Sequence, residues 1–94
     1  MTPNDYQQAA LRTAPGDLPP EKLLLNGLMG LNGEAGEAID ILKKHLFQGH
    51  ELDTAHMAKE LGDVAWYLAV SANAIGYDLS LIHISEPTRP LYIS

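Results

Sequence analysis

Apolar residues recur every three or four positions along two long stretches of the chain, and turn-forming residues bracket each stretch. From Glu21 to about Phe47, Leu24, Leu28, Leu31, Ala35, Ala38 and Leu42 step by four and three, the period of an amphipathic helix. Pro20 followed by Glu21 suits its first turn, and Gly49 suits its C-terminal cap. The second stretch is capped by Asp53 or Thr54 and runs to about Ile75, with Met57, Leu61, Val64, Leu68, Ser71 and Ile75 on one stripe. Gly76 stops it. Val64, Trp66 and Tyr67 would also suit a strand, but length and period favour a helix. A shorter helix is expected from Asp5 to Ala14, capped by Asn4 or Asp5. Pro15-Gly16-Asp17 and Pro19-Pro20 separate it from the rest. The expected fold is all-α: a helical hairpin plus a short N-terminal helix, assembling into an oligomeric helical bundle.

Two features sit awkwardly with plain helices. Gly27, Gly30, Gly33 and Gly36 fall inside the first long stretch, and each costs up to about 1 kcal/mol relative to alanine. They have three readings: close helix–helix packing, room for a ligand, or a break near Gly30. Residues 80–94 show no helical period and contain Pro87 and Pro90. Leu81 to Ile84 suit a short strand that has no partner. This segment resembles the translated sequencing-adapter tail found on truncated reading frames; the alternative is a genuine disordered terminus. The expected organisation is therefore a domain over 1–79, incomplete at its C-terminal end, and a non-native or disordered tail over 80–94.

Composition narrows the function classes. Ninety-four residues make one small domain with a marginal core, for which oligomerisation is a common remedy. The formal net charge of −6, from 6 basic and 12 acidic residues, argues against a general nucleic-acid binder, which needs a basic stripe. There is no cysteine, so disulfides and thiolate metal sites are excluded. The first twenty residues hold no apolar signal core, and no apolar run approaches the roughly 20 residues of a membrane span. The expectation is a soluble cytoplasmic protein with no membrane partner.

The acidic residues are not scattered. Glu34 and Glu37 are three apart on the first long helix, and Glu60 and Asp63 are three apart on the second. Each pair therefore projects from one helix face, where like charges are mutually unfavourable. Solubility does not require that placement. Hard divalent cations do, because they take carboxylate oxygens. Each pair lies one residue before members of the apolar stripe. Antiparallel packing through the stripes would bring all four carboxylates to one flank of the interface. Asp40 either joins a metal shell or pairs with Lys43 or Lys44. His45, His50, His56 and His83 show no metal-ligand spacing, and the Glu-x-x-His signature of di-iron bundles is absent. So is a glycine-rich phosphate loop.

From about Tyr6 to Leu79 the chain resembles the MazG-like nucleotide pyrophosphohydrolases, of the all-α nucleoside triphosphate pyrophosphatase superfamily. The matching stretches are Asp5-Tyr6-Gln7 with Ala10 to Ala14, Leu31-Asn32-Gly33-Glu34-Ala35-Gly36-Glu37, Lys43-Lys44-His45-Leu46, and Lys59-Glu60-Leu61-Gly62-Asp63 running on to Ala69. The pattern is E-x-x-E, a spacer, then E-x-x-D. The resemblance implies Mg2+-dependent hydrolysis of nucleoside triphosphates, dNTPs in particular, to monophosphate and pyrophosphate in a nucleotide-pool housecleaning role. It implies that Glu34, Glu37, Glu60 and Asp63 hold Mg2+, with Mn2+ as the alternative. It also implies homodimers or homotetramers in which two subunits shape each pocket. The chemistry is consistent: a triphosphate carries about four negative charges, and divalent cations are needed between it and carboxylates.

Two departures stand out. Gly33 takes the place of a glutamate found in many relatives, and the basic, polar helix that usually follows is replaced by the tail. Lys44, seven residues after Glu37, is either a point charge for the triphosphate or a solvated surface lysine; Lys43 and Lys59 are weaker candidates. Tyr67 is either a base or phosphate contact or an interface aromatic, and Trp66 reads as core or interface. Asn26 matches an asparagine that often precedes the glutamate motif in relatives and is a candidate to line the base pocket, and Asn73 is a second, less supported candidate. The rival readings are a non-catalytic helical oligomerisation module and an inactive fragment that binds metal only.

Overall fold

Thr2, rather than Asn4 or Asp5, opens the first helix. The computed structural model, which describes residues 1–82, places α1 over Pro3–Leu11. The Thr2 hydroxyl accepts the Asp5 N–H while the Asp5 carboxylate accepts the Thr2 N–H, both at 3.1 Å. This reciprocal cap satisfies two donors that the helix cannot. Pro3 occupies the first helical position, where its missing N–H costs nothing. The helix ends short of Ala14, but Thr13 and Ala14 continue as a tight turn bonded to Ala10 and Leu11.

The two long helices form close to where periodicity puts them. α2 spans Pro20–Gln48 without a break at Gly30, and Gly49 ends it in the left-handed conformation at φ 73°. α3 spans Thr54–Ala74, with the Asp53 carboxylate accepting the His56 N–H at 3.0 Å. Gly76 adopts φ 83° just beyond it, a value that suits glycine because it has no Cβ. Leu79–Leu81 forms a single 3-10 turn, so Leu81 is not in a strand. No strand occurs among the described residues, and residues 83–94 of the expected tail lie outside them. No described helix is long and apolar enough to cross a membrane.

α2 and α3 pack as an antiparallel hairpin, using only part of each apolar stripe: Ala38 and Ser71 are buried, and Leu24, Leu31, Leu42, Met57 and Val64 are half-buried. Gly27 abuts Ser71, and Gly30 abuts the Tyr67 ring, so closely that a Cβ on either glycine would overlap its neighbour. Of the readings for these glycines, close packing holds at 27 and 30; Gly33 and Gly36 face open space. The small residues draw the backbones together along a line that runs beside the stripes, through Gly27, Gly30, Tyr67 and Ser71. Leu28, Leu61, Leu68 and Ile75 of the expected stripes are consequently exposed, together with Leu25, Met29 and Ile39. The same line of contact places Glu60 in the interface, where its side chain is only 2% exposed.

The apolar core lies at one end of the hairpin. Ala10, Ala69, Val70, Ala72 and Leu79 form it, with Tyr6, Leu23, Trp66 and Ile82 packed around. α1 is fastened over α3 there by polar contacts. Gln7 is buried, and its amide donates to the carbonyls of Ala69 and Tyr77 at 3.1 Å while its oxygen accepts the Leu79 N–H at 2.9 Å. Trp66 Nε1 donates to the Thr13 hydroxyl at 3.1 Å, and the Ser80 N–H donates to Asn4 Oδ1 at 3.0 Å.

Candidate metal centre

Midway along the hairpin, Glu34 and Glu37 of α2 meet Glu60 of α3. One carboxylate oxygen from each lies within 4.8 Å of the others. The three differ in exposure: Glu60 is buried, Glu34 half-buried and Glu37 exposed. With the carboxylates ionised, Glu60 Oε2 and Glu34 Oε2 are enclosed and have no hydrogen-bond donor against them. Buried carboxylate oxygens ordinarily have donors or cations against them.

Like charges at this distance cannot all persist, and the protonation of the cluster reflects that. Glu34 is pushed up to about 7, first because its carboxyl shares a proton with Glu60, then through desolvation and the charges of Glu37, Glu60 and Asp63. Glu37 is raised as well, chiefly through Glu60. Glu60 is held down at about 2 because it accepts from Glu34 and then Glu37, with Lys59 adding to the effect against desolvation. The three titrate as a unit that retains a proton toward neutral pH.

Asp63 lies one turn further along α3 and is not part of the triad. Its Oδ2 stands 3.1 Å from Lys59 Nζ, and the same ammonium is 3.4 Å from Glu60 Oε1. His56 Nε2 lies 3.5 Å from Glu60 Oε1. An open cleft of about 340 Å3 begins beside Glu37, and its walls include Asp40, Lys44, His50, Asp53 and His56. Lys44 pairs with Asp40 at 3.1 Å, both side chains half exposed. Asp40 thus takes the surface ion pair rather than a place in the triad.

The other expected substrate residues fall elsewhere. Tyr67 is wedged between the helices against Gly30, its ring set edge-on to Trp66 with centroids 5.0 Å apart. Asn26 and Asn73 are exposed. Asn26 lies about 12 Å along α2 from Glu34, and Asn73 about 15 Å along α3 from Asp63, both toward the core end. Within one chain they do not join the cleft. Lys59 and His56 are the site neighbours that periodicity under-weighted. Their signal was present: each stands four residues before a carboxylate on the same helix, the reach of a side-chain pair.

The donor set fits a hard divalent cation. It is all oxygen, lacks donors on two enclosed atoms, and has a further carboxylate one turn away. Fold and site together define an all-α protein that sets an acidic pair on each arm of a helical hairpin. The profile of the MazG nucleotide pyrophosphohydrolase domain matches residues 24–84, and the chain belongs to that family. It is also similar to the Gene 37 protein of Mycobacterium phage L5, 39% identical over 85 residues that span 82% of this chain and 75% of the phage protein. No solved structure matches the chain.

Proposed function

We propose that the protein hydrolyses nucleoside triphosphates, dNTPs in particular, between the α and β phosphorus, releasing a nucleoside monophosphate and pyrophosphate. Mg2+, or Mn2+ in its place, would be held by Glu34, Glu37, Glu60 and Asp63. The observation that carries this reading is the enclosed, donorless oxygen of Glu60 facing two further carboxylates in a chain of this family. A divalent cation bound there supplies charge neutralisation for the triphosphate and lowers the pKa of a coordinated water. Glu60 and Glu34 are the anchoring ligands. Glu37, at the solvent edge and on the cleft wall, orients the attacking water. Lys44 meets the phosphates from the same cleft. Tyr67 contributes from the hairpin interface, and Asn26 and Asn73 reach a nucleotide only across an assembled homodimer or homotetramer. The role that follows is removal of unwanted nucleotides from the cytoplasmic pool.

The test is product analysis with a panel of dNTPs and NTPs, in Mg2+ and in EDTA. Metal-dependent monophosphate plus pyrophosphate supports the enzyme, and diphosphate plus phosphate, or no turnover, overturns it. The exposed leucines and isoleucines on both arms favour a second reading, a helical interaction module. It predicts assembly without turnover and a melting temperature indifferent to Mg2+.

A further inference from the structure

Lys59 holds the site from within. Its ammonium stands between Asp63 Oδ2 at 3.1 Å and Glu60 Oε1 at 3.4 Å, bridging the acidic pair of α3. The side chain is 69% exposed, against 2% for Glu60. It therefore reaches inward from solvent along a flexible stem and can withdraw without disturbing the fold. The Lys44–Asp40 contact is different in kind, a single surface pair between two half-exposed partners. Lys59 also meets only part of the demand. It offers one positive charge, and Glu60 Oε2 remains donorless with it in place.

We infer that Lys59 is a built-in counter-cation, which keeps the acidic pair of α3 together when no metal is bound and which a divalent ion must displace. The inference rests on the metal site proposed above. A dication seated among Glu34, Glu37, Glu60 and Asp63 brings two charges and several coordination positions to oxygens that the ammonium serves singly, so it prevails. Ammonium and dication repel each other at these separations. Lys59 therefore sets the metal concentration at which the site fills, and it stabilises the metal-free hairpin below that concentration.

The experiment is a calorimetric titration of the full chain with Mn2+ alone at fixed ionic strength, with thermal melts in EDTA and in saturating Mn2+. Wild type is compared with Lys59→Met, which keeps the aliphatic stem, Lys59→Arg, which keeps the charge, and Lys22→Met, which removes a charge at the far end of α2. Loss of an exposed pair and its repulsion should tighten Mn2+ binding about threefold to fivefold in Lys59→Met. The same variant should melt lower than wild type in EDTA and recover in Mn2+. Lys59→Arg should follow wild type, and Lys22→Met should change neither readout. If Lys59→Met does not fold, Lys59→Gln takes its place. Equal or weaker Mn2+ affinity on loss of the charge, beside a wild type that binds, overturns the role of Lys59 alone. A wild type that binds no Mn2+ overturns the metal centre itself.

Discussion

Replacing Gly30 by alanine adds one methyl group at the tightest point of the hairpin. The new Cβ would fall within the Tyr67 ring, overlapping several of its atoms. The ring is rigid and is braced by Trp66, so the helices must part or the ring must leave. Overpacking costs about 1–3 kcal/mol, and overlap with ring atoms belongs in the upper half of that range. Removing a helical glycine returns about 1 kcal/mol. The net is a loss of about 1–2 kcal/mol, or a melting temperature lower by about 4–16 °C for a domain of this size. Gly33→Ala is the matched control. Nothing lies within 4 Å of a Cβ there, so the propensity gain stands alone and the variant should melt above wild type. The assay is thermal denaturation by circular dichroism in EDTA at one protein concentration. Gly30→Ala should also weaken Mn2+ binding, since Glu34 lies one turn away on the same helix and its distance from Glu60 depends on the spacing at Gly30. Combining Gly30→Ala with Tyr67→Ala should relieve the clash and register as coupling of about 1 kcal/mol or more. A Gly30→Ala chain that melts at or above wild type would refute the argument that glycine sets the helix spacing.

Other consequences can be tested separately. Glu60→Gln should abolish metal-dependent turnover while helix content stays near normal, as should Glu37→Gln; wild-type activity in either variant removes that carboxylate from the site. Gln7→Ala strips three hydrogen bonds from a buried position and should lower stability by about 2–3 kcal/mol, read by urea unfolding; a change within about 0.5 kcal/mol would mean that α1 is held by its apolar contacts alone. The metal-free chain should show opposed pH limbs from the triad. Glu34, raised from 4.5 to about 7, contributes stability that is full below pH 4.5 and is lost as pH climbs through about 7. Glu60, lowered from 4.5 to about 2, contributes stability that is full above pH 4.5 and is lost as pH falls toward 2. Saturating Mg2+ should flatten the upper limb by displacing the shared proton, and melts across pH with and without Mg2+ would expose an unchanged slope.

Most of the fold is legible along the chain because its signals are local. The 3.6-residue period, the Pro20 start, the Asp53 cap and the glycines at 49 and 76 act within a turn of where they stand. The two acidic pairs are legible for the same reason, since a spacing of three already puts both carboxylates on one face. The first helix start was misplaced because Thr2 caps it only in concert with Asp5 and Pro3, a three-residue agreement that composition does not announce. Gln7 was invisible as a fastener, because its partners lie more than sixty residues away.

From the order of residues alone follow three helices, their turns, and a pairing of carboxylates that suits a divalent cation. Which face of each helix looks inward was decided by tertiary contact. Apolar periodicity turns Leu61 and Leu68 inward, yet both are exposed while Glu60 is buried. The reason is close approach: Gly27 and Gly30 admit Ser71 and the Tyr67 ring where a leucine could not, and the helices meet beside the leucine stripes rather than squarely on them. That line of contact gathers Glu34, Glu37 and Glu60 into a triad, leaves Asp63 with Lys59, and leaves apolar residues outward on both arms.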